Sequence, residues 1–326
     1  MKSPEAVSFE HVISAKRRIE QTVRKTPLLE SALLNELTNR RVLVKAECLQ
    51  HTGSFKFRGG MSAITNLSGT QKQAGVIAFS SGNHAQGVAY AARLEGVNAT
   101  IVMPRDAPEL KIANTRSYGA EVILYDRPGG EDREAIGKKI AEERGLTLIR
   151  PYDNTDVIAG QGTCGLEIAE QANLVGVTQA DVLVCCGGGG LTAGIAISLE
   201  AEAPGMTVRP VEPQHYDDVI RSQLSGQRES VNTNKASICD AIVTPSPGEL
   251  TFPIIKRLCG LGIAVSDADT LNAIKMALIH YKILPEPGGA VALAALLSHA
   301  QNIDADTVIC VISGGNCDST IIQQAF

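Results

Sequence analysis

Short apolar runs alternate with longer amphipathic stretches along this chain. Nine runs read as strands: RVLVKAE (41–47), GVIAFS (75–80), NATIVMP (98–104), AEVILYD (120–126), LTLIR (146–150), DVLVCC (181–186), MTVRPVE (206–212), GIAVS (262–266) and DTVICVIS (306–313). Most are nearly continuous, the pattern of strands covered on both faces. Between them, segments such as 83–96, 131–145 and 267–282 carry apolar residues three and four apart, the spacing of a helix with one buried side. A helix is also expected over 8–24, ended by Thr26–Pro27, because a residue before proline avoids the helical region. Gly96 and Gly145 suit left-handed helix caps. Repeated strand–helix–strand order predicts βαβ units, largely parallel sheets and an α/β fold. About four such units fall within 49–149, and the rest of the chain has its own set. A small domain inserted into a larger one is the expected organisation.

Composition narrows the function. Thirty basic against 35 acidic residues leave a net charge of −5, and no basic run is present to neutralise phosphates. That pattern argues against nucleic-acid binding. No apolar run approaches the ~18 residues of a membrane span. The start, MKSPEAVSFEHV, lacks a basic segment followed by an apolar one, so no secretory signal is expected. Eight cysteines occur (Cys48, Cys164, Cys185, Cys186, Cys239, Cys259, Cys310, Cys317), none in a CxxC pair and most in apolar runs. They read as reduced, buried thiols of a cytoplasmic protein.

Several turns carry candidate chemistry. In Gly53-Ser54-Phe55-Lys56-Phe57-Arg58-Gly59-Gly60 a lysine stands between two aromatics. Desolvation by Phe55 and Phe57 would favour the neutral amine that Schiff-base chemistry needs. The pattern equally suits a lysine snorkelling from a helix start beside two core phenylalanines. Ser80-Ser81-Gly82-Asn83-His84 follows a strand and opens a helix. Such a turn can hold a carboxylate, or simply cap the helix. Gly187 to Gly190, before Leu191, cost backbone entropy that one glycine would avoid, and such runs let N–H groups converge on a phosphate. Gly160-Gln161-Gly162-Thr163-Cys164-Gly165 matches GxGxxG but follows no clear strand, so helix packing explains it better than a dinucleotide site. Ser313-Gly314-Gly315-Asn316 lies at the end of the last strand, where open α/β sheets bind ligands. Glu212-Pro213-Gln214-His215-Tyr216-Asp217-Asp218 could hold a hard cation, but on its residues alone reads as a solvated acidic loop with an aspartate cap.

A reactive lysine, a phosphate cup and an anion-binding helix end together suggest pyridoxal 5′-phosphate. The motifs GSFKFRGG, SSGNHAQG, VIAGQGT, GGGG, VEPxxxDD, EPGGA and SGGN occur in this order between about Ile19 and Asp318. On them the chain resembles the fold-type II pyridoxal-phosphate enzymes, in the serine/threonine dehydratase and serine racemase family. The resemblance implies a tryptophan synthase β-like α/β fold of two three-layer domains with mostly parallel sheets. Residues 1–48 and 150–326 would form the large cofactor-binding domain, and 49–149 the small substrate-loop domain.

Residue by residue, the resemblance implies that Lys56 bonds the cofactor and moves protons on one face, while Phe55 packs on the ring. Asn83 would meet the ring hydroxyl, Gly187, Gly188, Gly189, Gly190 and Leu191 the phosphate, and Ser313 the ring nitrogen. Glu286, in EPGGA, is a further cofactor-site candidate. Ser80, Ser81, Asn83 and His84 would receive the substrate carboxylate, with Arg133 and Gly248 in the substrate pocket. Glu212, Tyr216 (through its carbonyl) and Asp218 match a divalent-cation site for Mg, Mn or Ca, which revises the reading of that loop.

A neutral serine at the ring nitrogen makes a weak electron sink, which suits expulsion of a β-leaving group as the α-proton departs. The implied activity is that of a dehydratase (ammonia-lyase) releasing water, then a 2-oxo acid and ammonia, from serine, threonine or 3-hydroxyaspartate. Ordinary threonine dehydratases read Ser-Ala-Gly-Asn-His; here Ser81 stands in place of the alanine, as in the family's racemases. Ser81 is therefore either an acid/base on the face opposite Lys56, which would make the protein a serine or aspartate racemase, or a carboxylate donor. β-Replacement of the cysteine synthase type is disfavoured, because its lysine motif and substrate loop differ. A cofactor carrier without activity is disfavoured by the intact Lys56, Ser81 and cation-site residues. The resemblance further implies a homodimer acting on a small amino acid, and no regulatory domain is expected after the catalytic one.

Overall fold

The computed structural model describes residues 7–80, 82–107, 109–232 and 234–326, with the side chain of Leu110 left aside. Its strands in chain order are β1 (Leu28–Glu30), β2 (Arg41–Ala46), β3 (Val76–Phe79), β4 (Ala99–Pro104), β5 (Glu121–Tyr125), β6 (Thr147–Leu148), β7 (Ala180–Cys185), β8 (Met206–Pro213), β9 (Ile263–Val265) and β10 (Thr307–Ile312). They form two sheets, one ordered β1-β2-β10-β7-β8-β9 and the other β5-β4-β3-β6. The second is parallel throughout. In the first, the β1–β2 pair alone is antiparallel.

All nine apolar runs became strands. β2, β4 and β10 bury five or six consecutive residues, as strands with helices on both faces must. Helix Pro287–Ser298 packs on β7 to β10, helix Gly190–Glu202 on β7 and β8, and helix Arg133–Arg144 on β3 and β4. The edge strand β1 was not legible, because three residues after Pro27 are too short for any period to show. The helix expected over 8–24 spans Phe9–Ile19. A turn over 20–23 follows it, and farther on the Thr26 hydroxyl donates to Glu47 Oε1 at 2.5 Å in the interior.

The glycines of the GxGxxG match lie on one long helix, Thr155–Leu174. A Cβ on Gly160 would come within 2.6 Å of Arg58 O and Ser62 Cβ, one on Gly162 within 2.7 Å of Val12, and one on Gly165 within 2.8 Å of Ser198. They are where three helices press against this one. Beside them runs a buried polar network. Arg58 donates to both Glu47 oxygens at 2.8 Å, to the Glu167 oxygens at 2.7 and 2.9 Å, and to Thr163 at 3.1 Å. Lys45 joins Glu167 at 2.6 Å and also reaches Gln171 and Thr26 O. Two cations thus face two carboxylates, and the network ties helix Lys56–Thr65 to helix Thr155–Leu174 and to β2.

Candidate active site

The lysine turn and the turn after β10 are laced together by their backbones. Ser54 and Gly314 form an isolated bridge, Phe55 N donates to Ser313 O at 3.0 Å, and Gly315 N donates to Gly53 O at 2.9 Å. Lys56 opens helix Lys56–Thr65. Its amine donates to Pro151 O at 2.9 Å and stands 5.0 Å from the centre of the Phe55 ring. Burial lowers the amine to about 8, against the opposing influence of Cys185 and Glu286. Phe57, on the other flank, is fully buried in an aromatic cluster with His51 and Tyr90.

The polyglycine turn opens helix Gly190–Glu202 without any side-chain cap, which leaves its first N–H groups unclaimed by side chains. Gly189 sits at φ +89°. The turn is also crowded: a Cβ on Gly188 would enter the Tyr152 ring, and one on Gly187 would lie 2.8 Å from Thr244 Oγ1. Thr251 Oγ1 and Gly248 N both donate to Gly188 O, at 2.6 and 3.2 Å. Ser313 is buried at the end of β10 and accepts from the Cys185 thiol at 3.1 Å, a thiol that burial pushes up to about 11.

Among the described residues no side chain caps the start of helix Asn83–Leu94, while Ser80 Oγ accepts from Gly82 N at 3.2 Å. Ser81 lies outside the described residues. Asn83 donates from Nδ2 to Glu286 Oε1 and accepts at Oδ1 from Asn316 at 2.7 Å. Burial pushes the Glu286 carboxyl up to about 7, against the Asn83 hydrogen bond. His84 differs from expectation. Burial, with Lys56 nearby, brings its imidazole down to about 3, so it is neutral. Its Nε2 faces Ile149 O at 2.9 Å and so carries the hydrogen, which leaves Nδ1 a bare acceptor. The ring therefore cannot donate to a carboxylate; the backbone N–H of the helix start can. The ring instead holds segment 149–151, whose Pro151 carbonyl grips Lys56.

One cavity of about 1230 Å³ is lined by Phe55, Lys56, Ser80, Asn83, His84, Arg133, Gly187 to Gly190, Leu191, Gly248, Glu286 and Ser313. Sequence reasoning missed Pro151, Tyr152, Asp153 and Cys185, which also line it. The first three follow the β6 strand, and position at the C-terminal end of a parallel strand was the signal available for them. Of the cavity's cations, Lys111 pairs with Asp240 at 3.3 Å and Arg228 with Glu249 at 3.2 Å. Arg133, Lys138 and Arg150 also line it, and among the described residues none of the three forms an ion pair.

The candidate cation residues lie outside this cavity. The solvated-loop reading is overturned there: Glu212, Tyr216 and Asp218 are all buried. Glu212 accepts from Val219 N and Ile220 N at 2.9 Å, and the Tyr216 phenol donates to Lys235 O at 2.7 Å. Both Asp218 carboxylate oxygens are buried without a hydrogen-bond partner among the described residues. Burial pushes Asp218 up to about 7, and burial together with Asp218 raises Glu212 well above the usual carboxylate range. Among the described residues no group of three or more His, Cys, Asp or Glu side chains is placed to hold a metal.

Residues 19–314 match the pyridoxal-phosphate dependent enzymes (PALP). An L-threo-3-hydroxyaspartate ammonia-lyase of Pseudomonas sp. is 43% identical over 95% of this chain and 96% of its own. The serine racemase of Schizosaccharomyces pombe is 40% identical over 95% of this chain and 94% of its own. Among solved structures, a T.th. threonine deaminase superposes with a TM-score of 0.89 at 44% identity, covering 95% of this chain and 99% of that one.

Proposed function

The chain belongs to the pyridoxal-phosphate dependent enzymes, and on that premise we propose that it is an ammonia-lyase that eliminates water from a β-hydroxy amino acid. The observation that carries this reading is a single cavity that joins a lowered lysine, an uncapped glycine turn and a neutral hydroxyl. The cavity fits the cofactor on its own chemistry. Lys56 offers an amine of lowered pKa, and the turn at Gly187 to Gly190 leaves no room for side chains where a phosphate would lie.

When bound, pyridoxal 5′-phosphate supplies an electron sink for charge that develops at the substrate α-carbon. The chain's own residues do the rest. Lys56, oriented by Pro151 O, removes the α-proton. The first N–H groups of helix Gly190–Glu202, with Leu191 beside them at the cavity wall, would hold the phosphate. Ser313 would meet the ring nitrogen as a neutral group, and Asn83 the ring hydroxyl. Glu286 supports Asn83. Backbone N–H groups at the start of helix Asn83–Leu94, with Ser80 and Ser81, take the substrate carboxylate. Gly248 shapes the pocket wall, since a Cβ there would lie 2.5 Å from Asp153 Oδ1.

Among β-hydroxy amino acids, 3-hydroxyaspartate is the preferred substrate. Arg133, Lys138 and Arg150, without an ion pair among the described residues, suit a second carboxylate, and the similar Pseudomonas protein is an ammonia-lyase for that compound. Racemisation is the second reading, favoured by Ser81 and by the similar serine racemase. A panel of serine, threonine and 3-hydroxyaspartate stereoisomers, assayed for ammonia, 2-oxo acid and both enantiomers, tests both. Enantiomer exchange without 2-oxo acid would overturn the lyase reading.

On this reading Glu212 and Asp218, with the Tyr216 carbonyl as a third oxygen, would hold a divalent cation, Mg, Mn or Ca. The fit rests on the buried Asp218 carboxylate, neither oxygen of which meets a hydrogen-bond partner at bonding geometry among the described residues. Residues 49–149 act as the small domain, since all four strands of the second sheet come from that span. The protein works as a homodimer in the cytoplasm; the eight unpaired cysteines support a reducing compartment. Among the described residues no helix is long and apolar enough to cross a membrane.

A further inference from the structure

Asn316 closes the Ser313-Gly314-Gly315-Asn316 turn and has no role in the chemistry above. Its Nδ2 donates to Asn83 Oδ1 at 2.7 Å and to Thr52 O at 2.9 Å. Its Oδ1 lies over Gly53, where a Cβ would be 2.7 Å away and φ is +74°. Asn83 in turn donates to Glu286 Oε1. Side chains from three segments are thereby joined: the start of helix Asn83–Leu94, the residue before helix Pro287–Ser298, and the turn after β10.

An amide is not symmetric: one end accepts and the other donates. Thr52 O can only accept, so it fixes the Nδ2 end of Asn316 on its side. That same Nδ2 can face only the oxygen of Asn83. Glu286 offers an acceptor to the other end. The Asn83 amide is therefore set from both sides, with Nδ2 having one hydrogen committed to Glu286 and one left over. Asn83 and Glu286 both line the cavity. We propose that Asn316 is a positioning residue, which locks the Asn83 amide so that an N–H rather than a carbonyl oxygen meets the ring hydroxyl of the bound cofactor. This rests on the assignment of Asn83 to that hydroxyl. An N–H there stabilises negative charge on the ring oxygen, and a carbonyl oxygen in the same place would repel it.

The test compares Asn316→Asp, Asn316→Ala, the double variant Asn316→Asp/Glu286→Gln, and Asn83→Ala as reference. Each apoprotein is titrated with pyridoxal 5′-phosphate, and the absorption spectrum of the loaded protein is followed against pH, beside the Tm of the apoprotein. The introduced carboxylate accepts from Asn83 Nδ2 and turns the amide over. Its oxygen then faces Glu286 and the cavity. Cofactor Kd is expected to rise at least about tenfold, the worth of one charge-assisted hydrogen bond, and the spectrum to shift with it. Asn316→Ala leaves the amide free to turn and gives a smaller change in the same direction. In the double variant the introduced glutamine donates to the turned oxygen. Apoprotein Tm then recovers to within about 2 °C of the parent, while Kd and spectrum stay displaced. A merely structural role for Asn316 predicts instead that Kd and spectrum recover with Tm, and that outcome overturns the proposal. So do parental Kd and spectrum in both Asn316 single variants. If Asn83→Ala itself leaves Kd and spectrum unchanged, the assignment of Asn83 to the ring hydroxyl fails, and the proposal falls with it.

Discussion

At the scale of single residues, the chemistry depends on the charge that burial permits. An ordinary lysine is protonated until about pH 10, whereas Lys56 falls to about 8 because its amine is desolvated at the cavity wall. The free amine is the nucleophile. The rate at which apoprotein captures pyridoxal 5′-phosphate should therefore climb through pH 8 and level off above pH 9, as followed by stopped-flow absorbance. A midpoint near 10 would show that the cavity does not desolvate the lysine. Lys56→Ala should bind the cofactor without a covalent bond and lose activity by several orders of magnitude. Ser81 carries a prediction from sequence alone. Ser81→Ala should abolish racemisation and any elimination from D-serine. It should leave L-substrate elimination within about a hundredfold, or about 2.7 kcal/mol, because Lys56 alone can take that proton. A larger fall, measured by 2-oxo acid release, would make Ser81 a carboxylate ligand rather than a second-face acid.

At the scale of elements, helix Lys56–Thr65 is what sets the amine in place, and it is held by packing and by charge. The packing is with helix Thr155–Leu174, whose glycines allow backbone contact. The charge is the Arg58 network, in which Arg58 and Glu47 are fully buried and all five guanidinium hydrogens are accounted for. Arg58→Met would strand Glu47 in the interior and leave Glu167 with Lys45 alone. Breaking a buried pair from one side costs about 3–5 kcal/mol, and the loss should be visible in urea unfolding of the apoprotein. If Arg58→Met unfolds within about 1 kcal/mol of the parent, the network contributes register rather than stability. That the same turn carries Lys56 and Arg58 was legible in the sequence. That the arginine faces away from the chemistry, into Glu47 and Glu167, was not, because its partners come from β2's far end and from a helix more than a hundred residues on.

At the scale of the whole molecule, two sheets turn the C-terminal ends of their strands to one cavity. β3 leads to Ser80, β6 to Pro151, β7 to Gly187 and β10 to Ser313, and all four residues line it. Away from it, the proposed cation site governs how folding responds to pH. Glu212 and Asp218 are raised above the ordinary carboxylate value near 4. Without a cation, the folded state holds protons that the unfolded state has released. The stability these groups contribute is complete below about pH 4 and is lost as pH rises toward 7 and beyond. A cation replaces those protons, so its stabilisation should grow with pH. Thermal melts with Mg²⁺ against chelator should differ little at pH 5 and clearly at pH 8. Equal melting points and equal activity at pH 8 would reduce the site to a buried acidic loop.

Local rules were enough for the α/β class, the nine predicted strands and the turns that carry Lys56, Asn83, the four glycines and Ser313. Each depends on residues adjacent in sequence: apolar continuity makes a covered strand, and glycine or serine at a strand end makes a turn. Contacts between distant segments obey no such period. Sequence could not tell that Phe57 joins His51 and Tyr90 while Phe55 meets the amine, because residues two apart at a helix start point about 200° apart, to opposite sides, and only the packed partners decide which side meets which. Nor could it tell that His84 is neutral and turned to Ile149, or that Asp218 is buried rather than solvated. Charge state depends on burial and on the groups brought alongside, and both are properties of the folded molecule alone.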